Sequence, residues 1–428
     1  MTGAMTDIAK ERVLPSEIEN EIQRLLRAGD HGIGQLVDVL LRQSVWNKVS
    51  DAHFEPFYGG LRVRFRLDGI FQDVVRFPNR VHEQIIARIK VLANLIPHKR
   101  DIAQEGRISQ SVGGQDIDFR VSVVPTVGGE RAVIRIFDPM RALFSIDDLG
   151  FPADVKSRFT QLLMDLDGIV ILTGPSSSGK TTTMYAGLQH IYQEKGDHAS
   201  IVTIEDPVEY ELGMFSQIEV NRRVGMDFSA TLSALLRQDP EVIMVGEIRD
   251  FETCQIALRA SLTGHLILTT IHSGHACEVI TRLLDMGMEP FVVSSSVKGV
   301  MAVRLIRKIC VECRAPHQPD PRHLEYFSAY RDLSGVAFSR GKGCTACHQS
   351  GYLGRTSICE LLVMNEELRS LVLKRSTTSA VVEKARALGM KNLLDCALDR
   401  VADGTTTLEE IRRVLGTSTG KANGRPVS

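Results

Sequence analysis

The stretch GIVILTGPSSSGKTTTMYAGL, residues 168–188, decides the fold of this 428-residue chain. An apolar strand runs into a loop rich in glycine and serine, and a helical segment follows at once. The loop matches G-x-x-x-x-G-K-[ST] from Gly174 to Thr181. Glycines let such a loop curl so that successive N–H groups face phosphate oxygens, and the helix N-terminus adds partial positive charge. The stretch therefore predicts a nucleotide site, and the alternative is an incidental glycine–serine turn.

The roles within this loop follow from its chemistry. Lys180 would reach the β- and γ-phosphates of the nucleotide, and the Thr181 hydroxyl would ligate Mg²⁺. The expected nucleotide-binding residues are Gly174, Pro175, Ser176, Ser177, Ser178, Gly179, Lys180, Thr181 and Thr182.

Residues 160–305 alternate short apolar strands with helical segments, which predicts a mainly parallel sheet with crossover helices. Active groups of such sheets gather at the carboxyl ends of the strands. EVIMVGEIRD runs into Glu247, a carboxylate that would orient the attacking water, although a helix cap is the alternative. SIVTIEDPVEY places Glu205 and Asp206 where they would hold Mg²⁺ or its waters, with a polar turn as the alternative.

The stretch TGHLILTTIHSGHA, residues 263–276, carries three histidines without the spacing of metal ligands. We interpret His272 as a polar sensor of the γ-phosphate. His265 is expected to be structural, and His275 is expected to lie on the surface.

Overall composition excludes several classes of protein. Lys and Arg total 51 and Asp and Glu total 52, so the basic excess usual in nucleic-acid binders is missing. Eight cysteines are too few at this length for a disulfide scaffold. No apolar run has the length of a membrane helix, and the first residues lack the apolar core of a signal peptide. A soluble, reducing, cytoplasmic setting is the expectation.

Four of the cysteines form two C-x-x-C pairs, Cys310 with Cys313 and Cys344 with Cys347. Two such pairs can complete a tetrahedral thiolate site for Zn²⁺, although the gap between them exceeds that of small zinc modules. A closed four-thiolate site would be structural, not catalytic. The alternative is a set of reduced, unligated thiols.

Upstream of the nucleotide loop, LRVRFRLDGI alternates apolar and basic residues and ends in the turn signal Asp68-Gly69. A helix is expected within residues 81–96 and two strands within residues 116–137. From these patterns we expect an α/β protein divided as follows: a short helical segment (1–46), an α+β domain (47–140), a domain with a mainly parallel sheet (141–305), a tetracysteine zinc subdomain (306–355), a helical region (356–416) and a disordered tail (417–428).

Four stretches together resemble the motifs of the secretion ATPase superfamily. GPSSSGKTTT, TIEDPVEY, LLRQDPEVIMVGEIRD and TGHLILTTIHSGHA are similar to its Walker A, Asp box, Walker B and His box, in that order. The cysteine quartet followed by GYLGRTSICELL is similar to type II secretion and type IV pilus assembly ATPases, whereas pilus retraction ATPases generally lack those cysteines. The resemblance covers residues 50–415.

This resemblance implies a homohexameric ATPase in which residues 47–140 form a mobile, PAS-like domain that moves against a RecA-like P-loop ATPase domain of residues 141–305. It implies that arginines of the moving domain contact the nucleotide; they match Arg120 and Arg135 here, with Arg107 as a weaker match. It further implies inner-membrane platform and recruitment proteins as partners, no direct contact with nucleic acid, and a cytoplasmic protein peripherally associated with the inner membrane. A DNA-uptake or conjugation motor, a pilus retraction ATPase and a nucleotide-gated scaffold without turnover are the alternatives.

Three departures from the family's pattern stand out. Only a short segment precedes SDAHFEP, where many members carry an extended recruitment domain. Val303 stands where a glutamine is usual, and His275 where an acid is usual. None of these departures removes a predicted catalytic group.

Overall fold

The computed structural model describes residues 22, 24–25, 30–137 and 144–416. The chain divides into two compact units: unit 1 is 1–140 with 343–353, and unit 2 is 141–342 with 354–428. The first residues of the helical segment predicted over 1–46 and the tail predicted over 417–428 lie outside the described residues.

Unit 1 contains a six-stranded sheet of order β3-β2-β1-β6-β5-β4, in which the paired strands run antiparallel. Asp68 and Gly69 both take positive φ, 47° and 83°, and form the predicted turn between β2 and β3. The strands are β1 (Asp51–Phe57), β2 (Gly60–Leu67), β3 (Ile70–Pro78), β4 (Gln104–Val112), β5 (Gln115–Thr126) and β6 (Gly129–Phe137).

Two helices share the hydrophobic core of this sheet, α1 (Asp30–Trp46) and α2 (Asn79–Leu92). Apolar residues at helical spacing, such as Leu36 and Leu40 in α1 or Ile85 and Ile89 in α2, are almost fully buried there. Alternation along the strands places intervening charged residues, such as Arg62, Arg64 and Arg66 of β2, on the opposite face of the sheet.

Unit 2 contains a seven-stranded sheet of order β15-β12-β7-β11-β10-β8-β9, and the pairs from β12 through β9 are parallel. Strands β7, β8, β10 and β11 are the four that the sequence predicts, and all their residues are buried. The strands are β7 (Gly168–Thr173), β8 (Ile201–Glu205), β9 (Ser216–Glu219), β10 (Val242–Val245), β11 (Leu266–Ile271), β12 (Val297–Ile309) and β15 (Tyr352–Val363).

Helices and short strands complete unit 2. A two-stranded sheet pairs β13 (Arg314–Pro316) with β14 (Ser339–Gly341). The helices are α3 (Ala153–Leu163), α4 (Lys180–Lys195), α5 (Phe228–Leu235), α6 (Phe251–Ser261), α7 (Ala276–Asp285), α8 (Pro290–Ser296), α9 (Pro321–Ser328), α10 (Glu366–Leu373), α11 (Thr378–Ala387), α12 (Leu393–Ala402) and α13 (Leu408–Leu415).

The structure differs from the predicted C-terminal helical region at its start. Residues 356–363 belong to β15, the edge strand of the large sheet, and not to a helix. Their run ICELLV is continuously apolar apart from Glu360, and such a run does not distinguish a buried strand from a buried helix. The helices that follow share one hydrophobic core with the sheet.

Within the described part of the chain, no helix combines the length and the apolar character needed to cross a bilayer.

Candidate functional site

The loop between β7 and α4 has the backbone that its glycines predict. Gly174 and Gly179 take φ of 149° and 96°, and Ser177 also has positive φ. A Cβ at Gly174 would lie 2.5 Å from Ser178 Oγ and 2.7 Å from the Val303 carbonyl oxygen, so only glycine fits there. Ser178 Oγ is itself buried and has no hydrogen-bond partner in the structure, as expected of a hydroxyl that a ligand oxygen would complete.

Lys180 opens α4 and turns back over this loop. Its ammonium donates to the carbonyl oxygens of Gly174, at 2.8 Å, and Pro175, at 2.9 Å. Burial and the nearby Arg304 guanidinium lower the pKa of Lys180, while Glu247 acts in the opposite direction. A phosphate group would offer this cation a charged partner in place of two neutral carbonyls.

Glu247 follows the end of β10 and is held from two sides. Arg249 Nη2 lies 2.5 Å from one carboxylate oxygen, and His272 Nε2 lies 3.5 Å from the other. The Glu247 side chain is 16% exposed. The Glu247 carboxylate raises the pKa of Arg249 through a hydrogen bond. The structure thus brings together two of the predicted groups, Glu247 and His272.

Glu205, at the end of β8, has different surroundings from those expected. Its carboxylate is buried and accepts hydrogen bonds from the hydroxyl of Tyr185, from Thr203 Oγ1 at 2.6 Å and from Gln217 Nε2 at 3.1 Å. The sequence predicted magnesium or its waters as partners, whereas these contacts anchor β8 to α4 and β9. The neighbouring Asp206 pairs with Arg222 at 2.9 Å.

The turn after β11 is tied to its neighbours by backbone and carboxylate contacts. Ser273 N donates to Thr173 Oγ1 at 2.8 Å, directly before the phosphate loop. Glu278 Oε2 accepts hydrogen bonds from Ser273 Oγ and from the backbone N–H groups of Gly274 and His275. The turn that carries His272 is therefore held against β7.

His275 keeps 35% of its side chain exposed, so it lies at the surface in part, but it also has a buried partner that the sequence does not predict. Its imidazole lies 3.4 Å from Glu360, a buried carboxylate of β15 that also accepts the Ala276 N–H at 2.8 Å. The hydrogen bond to Glu360 raises the pKa of His275. Sequence reasoning missed Glu360, because 85 residues separate the two side chains. His265 has the structural role expected of it, with Nδ1 3.0 Å from the Ala260 carbonyl oxygen.

The predicted arginines of unit 1 lie side by side on the polar face of its sheet. Arg107, Arg120 and Arg135 occupy opposed positions on β4, β5 and β6. Arg135 Nε donates to Asp51 Oδ1 at 3.0 Å, and the Arg120 guanidinium lies 4.4 Å from the centre of the Phe137 ring. Like charges on opposed positions repel, so this row of arginines favours an anion.

The four paired cysteines form one cluster. Sulfur atoms of Cys310, Cys313, Cys344 and Cys347 lie within 4.8 Å of one another. Cys344 Sγ and Cys347 Sγ are 3.7 Å apart, close to the separation of two sulfurs that each bind one zinc at about 2.3 Å in a tetrahedron. Cys347 Sγ also accepts N–H groups from Cys344 and Gly351, which favour a thiolate.

Comparison with known proteins places these features in one family. Residues 27–413 match the model of the family described as "Type II/IV secretion system protein". The chain is 43% identical over 380 residues to the type II secretion system protein HxcR of Pseudomonas aeruginosa, a match covering 89% of this chain and 76% of that protein. It is 38% identical over 402 residues to the type IV pilus assembly ATPase PilB of Myxococcus xanthus, covering 93% and 70%.

The fold has solved counterparts. The Legionella pneumophila ATPase DotB superposes with a TM-score of 0.64 at 18% identity, over 88% of this chain and 94% of that one. At this identity the likeness supports the fold, and it confirms the predicted RecA-like architecture.

Proposed function

Because the chain belongs to the type II/IV secretion system protein family and is an ATP-hydrolysing enzyme, we propose that it powers assembly of a type II secretion pseudopilus or a type IV pilus. The observation that carries the proposal is the edge where parallel strands β7, β10 and β11 end. The phosphate loop, Glu247 and His272 follow these ends, and Glu247 and His272 are already in contact. This is the edge at which parallel sheets bind ligands.

We assign the nucleotide to the loop of residues 174–182. The buried hydroxyl of Ser178 and the ammonium of Lys180 fit phosphate oxygens, and the Thr181 hydroxyl would hold Mg²⁺. Mg²⁺ supplies neutralisation of the charge that develops on the phosphates. Glu247 orients the attacking water by accepting its hydrogen bond, and His272 holds the second oxygen of Glu247 in place.

Arg120 and Arg135 are proposed to supply the remaining positive charge when unit 1 closes on the nucleotide. Guanidinium groups suit phosphates because their planar N–H groups match two oxygens at once. The two guanidinium groups occupy opposed positions on β5 and β6, and a pair of adjacent cations favours the binding of an anion such as a phosphate. Release of this contact after hydrolysis would couple chemistry to motion.

The proposal includes the setting of the enzyme. We place it as a homohexamer at the cytoplasmic side of the inner membrane, in contact with platform and recruitment proteins of the secretion or pilus machine. Its energy would be transmitted through those partners to pilin-like subunits.

The function is tested by phosphate release from the purified full chain, with and without double-stranded DNA, and by mass photometry with and without ATP. We expect hydrolysis by the wild type, none by Lys180→Ala, hexamers that form with ATP, and no stimulation by DNA. DNA-stimulated turnover would instead support a DNA-translocating motor, and equal rates in the wild type and Lys180→Ala would refute the site.

We also propose that the cysteine cluster binds one structural Zn²⁺. The 3.7 Å separation of Cys344 Sγ and Cys347 Sγ supports this assignment. Elemental analysis is expected to find about one zinc per chain. Cys344→Ala should lose the metal and lower the melting temperature, whereas Cys254→Ala, an isolated buried cysteine of α6, should keep the metal. Folded wild type without zinc would contradict the proposal.

A further inference from the structure

Arg304, on strand β12, lies against the first glycine of the phosphate loop. Its Nη1 atom is 2.9 Å from the position that a Cβ would take at Gly174. The same nitrogen donates to the Val303 carbonyl oxygen at 2.9 Å, and Nη2 donates to the Gly274 carbonyl oxygen at 2.6 Å. One guanidinium therefore lies beside the phosphate loop and donates hydrogen bonds to its own strand and to the turn that follows His272.

The charge of Arg304 is not neutralised by an ion pair. Across the described residues, no carboxylate lies within 4.0 Å of its guanidinium, and the two hydrogen bonds above go to neutral carbonyls. The acids that act on it from a greater distance are Glu360 and Glu278. Both have other partners: Glu360 accepts from Ala276 N and Glu278 from Ser273, Gly274 and His275.

A half-buried cation without a paired carboxylate is costly unless something else compensates it. Arg304 acts on Lys180 as a like charge, so the two cations share one region of the site. Two positive groups beside a glycine-rich loop form a place where a multiply charged phosphate group is favoured.

We propose that Arg304 is a second cationic group of the phosphate site, which attracts the nucleotide's phosphates together with Lys180 and fixes the turn after β11 to the phosphate loop. This inference rests on the proposed nucleotide site of residues 174–182. Arg304 would then have two separable roles. Its positive charge attracts the phosphates over several ångströms, whereas its hydrogen bond to the Gly274 carbonyl oxygen requires the guanidinium group itself.

The two parts are separated by two substitutions in the full chain. Arg304→Gln removes the charge. Arg304→Lys keeps the charge but cannot reproduce the fork that reaches both carbonyls. The matched control is Lys298→Gln on the same strand, where Lys298 pairs with Asp167 at 2.7 Å away from the loop. Lys180→Ala serves as the reference for loss of the nucleotide site.

Affinity for ATP and ADP is measured by isothermal titration calorimetry at low and high salt, with turnover and melting temperature alongside. We expect Arg304→Gln to weaken ATP binding at least about fivefold and to reduce its salt dependence. Arg304→Lys should bind ATP nearly as the wild type does but with lower kcat, and Lys298→Gln should match the wild type in both.

The inference is overturned if Arg304→Gln binds ATP as tightly as the wild type. It is also overturned if the two Arg304 variants show equal losses of ATP affinity and equal decreases in melting temperature, as expected of a residue with a purely structural role. If the wild type binds no ATP, or binds ATP no more tightly than Lys180→Ala does, the proposed nucleotide site itself is refuted.

Discussion

The guanidinium of Arg249 lies 2.5 Å from the carboxylate of Glu247, two residues earlier in the same loop. His272, from the end of the neighbouring strand β11, approaches the other oxygen of that carboxylate. Glu247 therefore has partners on two segments of the chain. Partners that favour one orientation of a carboxylate reduce the cost of reorganising it when it orients water in the transition state.

Removal of the unit 1 arginines should slow hydrolysis without unfolding the protein. Arg120→Ala or Arg135→Ala is expected to lower kcat by about 10²-fold or more, because each removes positive charge from the transition state. The melting temperature should change little, since Arg135 is more than half exposed and Asp51 keeps Arg66 as a partner. Steady-state phosphate release measures the effect.

Arg76→Ala is the control for these two variants. Arg76 belongs to the same sheet, on β3, and forms an exposed pair with Asp73. Equal kcat values for all three variants would argue against nucleotide contact by Arg120 and Arg135.

The buried Tyr185–Glu205 contact makes a prediction about stability. Tyr185→Phe leaves one oxygen of a buried carboxylate without its hydroxyl donor, so the free energy of unfolding should fall by about 1–3 kcal/mol. Tyr192→Phe on the same helix removes an exposed hydroxyl that donates a hydrogen bond to Asp197, and it should lower the free energy of unfolding far less. Urea denaturation compares the two variants. Equal decreases in the free energy of unfolding would show that the buried hydrogen bond stabilises the protein no more than the exposed one does.

The pair formed by His275 and Glu360 makes stability depend on pH. Glu360 raises the folded-state pKa of His275 above its ordinary value of 6.5. The extra stability is then fully present below pH 6.5 and is lost as the pH rises through the raised pKa. The difference in unfolding free energy between wild type and His275→Gln should therefore shrink from pH 6 to pH 9. A difference that stays constant or grows would contradict the pair's role.

The features that the sequence predicts correctly are those that depend on residues close together in the chain. Strands β7, β8, β10 and β11 are short apolar runs between helical segments. The loop from Gly174 to Thr181 has a residue pattern that is typical of phosphate-binding loops. Such local signals are sufficient to predict the fold class, the turn at Asp68-Gly69 and the positions where the parallel strands end.

Contacts between distant segments explain what the sequence missed. Glu360 lies in an apolar run that could equally have been helical, and nothing near it in sequence indicates His275 as its partner. Glu205 was expected at magnesium because it follows a strand, but the donors that bury it, Tyr185 and Gln217, come from other elements. The position of Arg304 against Gly174 likewise depends on the sheet order, which places β12 beside β7.

The central claim is that Glu247 orients the water that attacks ATP, and one comparison tests it most directly. ATP binding and phosphate release are measured on the full-length wild type and on Glu247→Gln, which keeps the side-chain size and removes the charge. The account predicts unchanged ATP affinity and a phosphate-release rate lower by about 10²–10³-fold. A Glu247→Gln protein that hydrolyses ATP at the wild-type rate would contradict it.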